Sequence, residues 1–444
     1  MEENLIVYQK DVNVKNIMKF VFPTIIMSLI QVLYTTIDGI FISQYVGTDA
    51  MASLTLLAPY ISVLFSVSAM LASGGCAVVM KKMGEKKERE AKEDFSAFIC
   101  INFFIGIVFM IIGIFFTSQL VEVFNASKIV TTYCNDYLFY YALFAIPLLL
   151  MNNLQVYVVA ANSPLLAFSI SLIAGITNVI LDYLFVGVFS FGVKGAAIAT
   201  GISNLLPMMI CIIYFSSKKR LLHFVKPVFR LKETLKAITN GVSELATTIA
   251  TGLTALLMNI YLMKYAGENG VASYTIIYYI FTVMTAIYMG YVYGVAPMIS
   301  YYHGNSDHVK LKKLNKISLI FILVISVIST ILSLTLGKYL IAFFVSSGTP
   351  VYSLAVYGNQ IFSFALLTCG FGIYFSGMFT ALSNGLISAL IAFGRTFLFI
   401  AGSLFVLPRI FEITGVWLAS PIAEFLGCLL GFLFFIKLKQ KYHY

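Results

Sequence analysis

Charged residues are scarce in this chain. Asp, Glu, Lys and Arg make up only 11% of its 444 residues, whereas about a quarter is usual for a soluble globular protein. Hydrophobic residues make up 60%, and apolar runs of about twenty residues, long enough to cross a bilayer as helices, recur from end to end. The composition excludes an ordinary soluble domain and predicts an all-α polytopic membrane protein.

The signatures of metal sites and of hydrolases are also absent. The six cysteines lie in or beside apolar segments without a CxxC pair, so we expect neither a disulfide framework nor a metal site. No HExxH or GxSxG motif occurs, and all four histidines fall in polar loops. We therefore expect no cofactor and no enzymatic activity, with an integral membrane enzyme as the alternative from another class.

Twelve segments are long and apolar enough to span a membrane. They cover residues 16–42, 52–80, 95–117, 131–160, 164–189, 194–216, 238–264, 270–300, 315–336, 351–380, 384–407 and 414–437. The polar start, MEENLIVYQKDVNVKN, lacks the apolar core of a cleavable signal peptide.

Basic residues crowd into alternate loops. The segments rich in Lys and Arg are 81–94, 218–236, 308–316 and the tail from Lys437. The loops between them are poor in basic residues, which is the positive-inside pattern and predicts that both termini lie in the cytoplasm. The net charge of +10 thus reflects membrane topology, and we expect no nucleic-acid partner.

An internal repeat relates the two halves at an offset of about 220 residues. The matched pairs include Gly47 with Gly267, Gly84 with Gly304, Phe124 with Phe344, Tyr137 with Tyr357 and Gly195 with Gly415. We predict an N-terminal six-helix lobe at 1–217, a cytoplasmic linker at 218–237 and a C-terminal six-helix lobe at 238–444. Two parallel repeats of this kind are typical of a transporter that binds its substrate between the lobes.

One carboxylate lies near the middle of the first span. Asp38 follows Tyr34 and Gln31 at spacings that place all three side chains on one helical face. A charged side chain at mid-membrane costs about 2.5–3.5 kcal/mol, so it normally faces a cavity or a partner rather than lipid. Pro23 can kink the same helix. These features favour a cation-handling site, and a structural hydrogen bond inside the bundle is the alternative.

The second half does not copy this polar set. Asp38 aligns with Met258, Asn178 with Leu398 and Asp182 with Gly402. Asn178 and Asp182 share one face of the fifth span, and the sixth span offers Thr200. Two carboxylates with amide and hydroxyl oxygens suit Na⁺, which prefers hard oxygen ligands. The acids can instead share a proton, because burial and a neighbouring like charge favour the protonated form; a cluster that only pins helices together is the structural alternative.

Other residues are candidates for the wall of a substrate cavity. The fourth span contributes Asn152, Asn153 and Gln155. They lie beside Pro147, where a broken helix frees backbone carbonyls. Glu244 lies early in the seventh span, and a substrate-facing role and a structural role are equally open for it.

The second half offers two further sets. Met258 and Tyr288, with neighbouring Met and Tyr residues, can form an adaptable wall for mixed ligands, and ordinary packing is the alternative. We expect Arg395 and Glu424 to pair across the last two spans, because pairing lowers the cost of both charges in a membrane.

The chain resembles the multidrug and toxic compound extrusion (MATE) family, most of all its bacterial DinF/MepA-like branch. The resemblance rests on P…Q..Y…D.IF….VG in the first span, on a long second span and on a basic loop opening at residues 81–84. It covers essentially the whole chain. It implies V-shaped lobes in a multi-pass monomer of the bacterial cytoplasmic membrane.

The resemblance also implies a secondary active exporter driven by inward H⁺ or Na⁺. By position, the family's cation site, a candidate Na⁺ site, corresponds to Asp38, Asn178, Asp182 and Thr200. The polar wall of that lobe's cavity corresponds to Gln31, Tyr34 and Asn152. The family's substrates are amphipathic organic cations, including dyes, fluoroquinolones and biocides. Some members carry an acid in the seventh and tenth spans; Glu244 fits the former loosely, and the tenth span has no acid.

We therefore expect a cation-coupled multidrug antiporter that works by alternating access, with the lipid bilayer and small amphipathic drugs or dyes as its partners. The alternative is a flippase for a lipid-linked oligosaccharide or peptidoglycan precursor from the same superfamily. A flippase requires a strongly basic central cavity for pyrophosphate, whereas the spans here offer Arg395 almost alone.

Overall fold

The computed structural model describes residues 6–122 and 127–444, and the elements in these ranges are helices. The first half contains α1 Ile6–Gln9, α2 Val14–Tyr45, α3 Thr48–Gly84, α4 Glu88–Phe115, α5 Thr117–Glu122, α6 Lys128–Leu143, α7 Ala145–Ala160, α8 Pro164–Asp182, a π-helical turn Tyr183–Val188 and α9 Val193–Ser216. The second half contains α10 Leu231–Gly304, α11 His308–Phe344, α12 Pro350–Phe362, a 3₁₀ turn Ser363–Ala365, α13 Leu366–Ala381, α14 Gly385–Phe393, a π-helical turn Gly394–Leu398, α15 Phe399–Val406 and α16 Pro408–Tyr442.

Twelve membrane spans follow from these helices. Ten helical segments of the described chain are long and apolar enough to cross a membrane, and the pair α6–α7, bent by 56°, makes an eleventh. The 74-residue α10 has a break at Gly267 (φ 60°, ψ −154°) and therefore supplies two spans. The predicted all-α polytopic fold with six spans in each half is confirmed.

Two boundaries differ from the sequence prediction. The helix α10 begins at Leu231, inside the segment predicted as a linker. Its first residues, LKETLKA, are charged but are mostly good helix formers, so the helix extends beyond the apolar segment. The fourth span breaks at Phe144 rather than at Pro147 itself. Proline disturbs the turn that precedes it, since its ring clashes with the carbonyl four residues earlier.

The backbone keeps the repeat even where side chains differ. Gly192 has φ 62° and ψ −143°, and Glu412, its repeat equivalent, has φ 50° and ψ −128°. Lys86 and Ser306, another equivalent pair, have φ of 62° and 55°. The last span therefore begins after the break at Glu412, as the sixth span begins after Gly192.

The four basic segments meet at one end of the molecule, which we call the basic end. Lys82 Nζ lies 3.9 Å from Glu233 Oε2, which joins the first segment to the second. The rings of His308 and His443 are 4.7 Å apart, which joins the third segment to the tail.

The two lobes share one hydrophobic core at the basic end and have separate cores further away. The shared core contains Phe95 and Tyr157 from the first half with Tyr302 and Phe379 from the second. Of the other main cores, one draws on residues of the first half alone and one on residues of the second half alone. The lobes therefore form a V that is closed at the basic end.

Glycines allow backbone contact between the lobes at this closure. A Cβ atom at Gly84 would lie 2.2 Å from the carbonyl oxygen of Tyr301, and one at Gly304 would lie 2.0 Å from that of Lys81. Lys81 aligns with Tyr301 as Gly84 aligns with Gly304, so the two contacts are related by the repeat axis. No larger residue fits at either glycine without a shift of backbone.

An ionic cluster ties the start of α10 to the first lobe. Arg230, just before α10, donates one hydrogen bond of 2.7 Å to Asp94 and another to Glu93. Lys82 donates to Asp94 at 2.6 Å. The hydrogen bonds from Arg230 and then from Arg89 hold the pKa of Glu93 below its usual range. Asp94 is 1% exposed, so its charge depends on these partners.

We predict that Glu412→Gly stabilises the protein. A non-glycine residue at this φ and ψ costs about 1–3 kcal/mol, and the exposed Glu412 side chain has little packing to lose. The expected gain is about 1 kcal/mol, measured as a higher midpoint of thermal unfolding in detergent. The matched control is Gly192→Glu, which should lower the midpoint. A lower midpoint for Glu412→Gly would contradict the assignment of strain.

Candidate functional site

Two carboxyl groups meet inside the N-terminal lobe. Helices α2 and α8 pack against each other. A Cβ atom at Gly175 on α8 would be in van der Waals contact with the Tyr34 side chain on α2, at 3.6 Å. This packing brings Asp38 on α2 within hydrogen-bonding reach of Asp182, the last residue of α8. Asp182 is fully buried and Asp38 is half-buried. The structure thus brings together the two acids that the sequence singled out.

The helix widens directly after Asp182. A π-helical turn occupies Tyr183–Val188, and such turns are rare and frequently found at functional sites. Asn178 lies one helical turn before Asp182 and is 1% exposed. The fifth span therefore presents an amide and a carboxyl group to the same interior face.

Four oxygens of this cluster lack donors in the described part of the chain. Asp38 Oδ1, both carboxyl oxygens of Asp182 and Asn178 Oδ1 are buried and accept no hydrogen bond from the described part of the chain. A buried acceptor without a partner costs about 1–3 kcal/mol, and more when it is charged. Two carboxylates cannot bond each other unless one carries a proton. This arrangement can hold a proton or a small cation that accepts hard oxygen ligands.

Two tyrosines of α6 complete the surroundings of the carboxyl pair. Tyr137 lies within electrostatic range of both Asp38 and Asp182, and Tyr141 within range of Asp38. Their rings stack 5.5 Å apart, and both are buried. The sequence analysis did not propose them as site residues. Their spacing of four on one face of a span was the available signal.

Thr200 is less directly connected to the carboxyl pair. Its backbone carbonyl accepts hydrogen bonds of 2.8 Å from Asn204 and Ser203 on the next turn of α9. Among the hydrogen bonds of the described chain, none joins its hydroxyl to either carboxyl group. The structure thus places Thr200 on a helix that packs against α8 without showing it as a partner of the acids.

A small polar pocket lies within the same lobe. It has a volume of about 330 Å³, and its lining residues include Gln31, Tyr34, Asn152, Gln155 and Asn204. Gln31 Nε2 donates to Gln155 Oε1 at 3.1 Å, and Gln155 donates in turn to the carbonyl of Ala167 at 3.1 Å. Tyr34 borders both this pocket and Asp38, so the pocket adjoins the carboxyl pair.

A larger cavity lies between the lobes. It encloses about 860 Å³ of space, part of which is open to solvent. The first lobe supplies Met27, Gln31, Asn152 and Gln155, and the second supplies Glu244, Tyr293 and Thr380. Gln31, Asn152 and Gln155 also line the small pocket, so the two spaces are neighbours.

Glu244 is the acid of the central cavity. It is half-buried there, beside Tyr293, and in the described chain it forms no salt bridge. The sequence left its role open between substrate contact and structure. Its place in the cavity wall favours contact with a positively charged ligand.

Three predicted cavity residues lie elsewhere. Asn153 is fully buried, Met258 is fully buried in the outer core of the second lobe, and Tyr288 is fully buried with its hydroxyl donating to the carbonyl of Leu366 at 3.2 Å. None of them lines the central cavity or the small pocket. Helix faces that pack against neighbours and faces that line a cavity carry the same residue types here, so composition does not separate them.

The predicted ion pair of the second lobe forms. Arg395 Nη1 lies 2.7 Å from Glu424 Oε1. A Cβ atom at Gly372 would lie 2.7 Å from Arg395 Cδ, and one at Gly427 would lie 2.3 Å from Arg395 Cβ. The two glycines make room for the arginine between α13 and α16.

Comparison with known proteins points to one family. The MatE family model matches residues 23–184 and 245–404, one match in each half. The multidrug export protein MepA of Staphylococcus saprophyticus is 27% identical over 445 residues, covering 99% of this chain and 97% of MepA. MepA of Staphylococcus haemolyticus is also 27% identical, with the same coverage.

Solved structures share the fold. A crystal structure of MATE in complex with MaL6 superposes with a TM-score of 0.93 at 17% identity, covering 99% of both chains. A MOP superfamily transporter from Pyrococcus furiosus superposes with a TM-score of 0.91 at 19% identity, covering 100% of this chain and 99% of that one. At these identities the likeness establishes the architecture alone.

We predict that Asp182→Asn raises the midpoint of thermal unfolding. In this variant the midpoint should no longer respond to Na⁺ or to a lower pH. The amide removes one of two adjacent charges and gives the Asp38 carboxylate a donor. The midpoint for the unchanged protein should rise by about 2 °C or more on adding Na⁺ at fixed pH, or on lowering the pH without Na⁺. Asp136→Asn, which removes an acid paired with Lys194 at 3.3 Å, is the control and should keep that response. A full response in Asp182→Asn would refute the site.

Proposed function

The chain belongs to the MatE family, and from this membership and the geometry of its two lobes we propose that it is an antiporter that exports amphipathic organic cations in exchange for H⁺ or Na⁺. The observation that carries the proposal is the buried carboxyl pair of Asp38 and Asp182, in which Asp38 Oδ1 and both oxygens of Asp182 lack donors in the described chain. Such a cluster is costly unless it binds a positive charge.

The proposed cycle uses the closure at the basic end. If the basic end faces the cytoplasm, as the charge of the loops predicts, the V opens outward in this structure. The inward-open state requires separation of the glycine contacts and of the shared core. A drug enters from the cytoplasm in that state, and the outward-open state releases it.

Helix α2 connects the ion site to the cavity and to the closure. Asp38 lies on it, Gln31 and Met27 on the same helix line the central cavity, and Thr24 Oγ1 donates to the carbonyl of Gly290 in the other lobe at 2.7 Å. Binding of a cation cancels the repulsion between Asp38 and Asp182. We propose that α2 then bends near Pro23, which shrinks the cavity and expels the drug.

The membrane potential supplies part of the driving force. Inward movement of one charge is worth about 2.3 kcal/mol per 100 mV, and the ion gradient adds to it. Both lobes of one chain form the cavity, so we propose that a monomer is sufficient. No cofactor other than the coupling ion enters the proposal.

In this proposal Glu244 makes the central cavity prefer positively charged ligands. Its carboxylate and the neighbouring Tyr293 ring can bind an organic cation through charge and through cation–π contact. The cavity wall is otherwise largely apolar, which suits an amphipathic ligand. The flippase alternative needs bound pyrophosphate, and an acid in this wall disfavours it.

We predict that Asp38→Asn abolishes gradient-driven export of ethidium. A Na⁺ gradient and a pH gradient are imposed in separate experiments on sealed vesicles that contain the purified protein. The unchanged protein should export the dye under the gradient of its coupling ion. The variant should still bind ethidium, because Asp38 does not line the central cavity. Asp49→Asn, at an exposed acid of α3, is the control. Ion-driven export that survives Asp38→Asn would exclude the proposed coupling site.

We predict that Glu244→Gln weakens ethidium binding by about tenfold, because one charge-assisted contact of about 1.4 kcal/mol is lost. The measurement is a fluorescence titration of the purified protein. Glu268→Gln, at an exposed acid beyond the cavity, is the matched control and should leave the affinity unchanged. Equal affinities for the protein and for Glu244→Gln would remove Glu244 from the substrate site.

A further inference from the structure

The connection between the two lobes has two parts with different surroundings. The earlier part packs on the first lobe: the ring of Phe224 stacks on that of Phe95 at 5.4 Å, and the backbone N–H of Val225 donates to Ser96 Oγ at 3.0 Å. The later part, residues 226–236, runs into the first two turns of α10. We call residues 226–236 the exposed linker segment.

Large apolar side chains point outward from the exposed linker segment. They are Val228, Phe229, Leu231 and Leu235. Leu231 is 75% exposed and Phe229 is 59% exposed. Single apolar side chains are common on protein surfaces, whereas a continuous row of them marks an interaction surface.

This row continues the lipid-facing stripe of α10. In the first span of that helix the exposed large apolar side chains are Ile249, Leu253, Leu256, Ile260 and Met263. At about 100° per residue, all five lie within about 40° of one line along the helix, and Leu231 and Leu235 lie on the same line. The half-buried Ile238 and Val242 fill the line between them. The surface that contacts lipid in the span therefore extends two turns further toward the basic end.

The internal repeat does not account for this row. Its residues at 229, 231 and 235 align with Gln9, Asp11 and Lys15 of the first half. Those three side chains are polar and exposed. The same stretch of backbone is thus compatible with a water-facing surface, and the apolar row is a feature of the second half alone.

Two lysines beside the row lack an acidic partner. Lys226 and Lys232 are exposed and take part in none of the salt bridges of the described chain. The nearby acid, Glu233, is already bound by Lys236 at 2.9 Å. Lysine side chains can lie along an apolar surface and place their ammonium groups at the level of the lipid headgroups.

We propose that the exposed linker segment binds anionic phospholipids at the basic end. Phe229, Leu231 and Leu235 enter the boundary between headgroups and acyl chains, and Lys226 and Lys232 bind the phosphodiester groups. An apolar row with basic residues at its side is typical of segments that lie in the interface of an anionic membrane. An acidic protein partner would match the lysines but not the continuity of the row with the lipid-facing stripe. This surface lies outside the central cavity and does not depend on the proposed export.

A tryptophan placed at position 229 tests the contact with lipid. Trp417 is the only tryptophan of the chain and is fully buried. The difference in emission between Phe229→Trp and the unchanged protein therefore belongs to the new side chain. Both proteins are reconstituted in vesicles with equal amounts of phosphatidylglycerol and phosphatidylcholine, in which only one of the two lipids is brominated. Bromine quenches tryptophan at close range, and brominated phosphatidylglycerol should quench more strongly, which corresponds to a local enrichment of about fivefold or more.

Two pairs of lysine substitutions test the role of charge in the Phe229→Trp protein. With Lys226→Gln and Lys232→Gln, quenching by phosphatidylglycerol should fall to within about twofold of quenching by phosphatidylcholine. Lys312→Gln with Lys313→Gln is the matched control, because it removes the same charge from exposed lysines of α11 at the basic end. The control should keep the preference. All the substituted side chains are exposed, so these variants leave the core packing intact.

Three outcomes would overturn the proposal. Absence of quenching by either lipid would place the segment in water, and equal quenching by both would show contact without recognition of charge. An equal loss of preference in the two lysine pairs would assign the effect to the charge of the whole surface. The measurement involves no transport, so failure of ethidium export would refute the proposed function and leave the lipid result standing.

Discussion

The carboxyl pair in the first lobe is the constraint on which the molecule depends. Asp38 and Asp182 lie together in an apolar bundle, where Asp38 Oδ1 and both carboxyl oxygens of Asp182 find no donor in the described chain. Two like charges at this distance and depth repel each other strongly. A bound proton or cation would relieve this repulsion, which is why we propose the pair as the ion site. Helix α2 also lines the central cavity and contacts the other lobe.

The internal repeat determines how the two lobes are arranged around the carboxyl pair. Both halves use the same breaks, at Gly47 and Gly267 and again at Gly192 and Glu412. The lobes meet through close glycine contacts at the basic end and separate beyond it. The two backbones are alike, but the side chains at equivalent positions differ, so the buried charges of the two lobes differ. The first lobe has an acid pair, and the second has an acid and a base that largely cancel.

The sequence was sufficient for the features that the energetics of the membrane constrain most strongly. Apolar length gives the spans, loop charge gives one shared end, and an uncompensated acid such as Asp38 marks an interior face. It failed where packing decides. Met258 and Tyr288 are core residues, and Tyr137 and Tyr141 border the acids, although only their spacing of four marked them in the sequence. Residues of one type occur on both buried and cavity-lining faces, and only the neighbouring helix decides which is which.

The sequence by itself determined the class of protein, the twofold plan and the identity of the acids, because each follows from the cost of placing polar groups in hydrocarbon. Only the tertiary structure decided that Asp38 and Asp182 lie within hydrogen-bonding reach of each other, that Met258 and Tyr288 are core residues, and which end of the V is closed. These are contacts between helices distant in the chain. Their formation depends on side-chain shape at each crossing, including the glycines that let backbones meet.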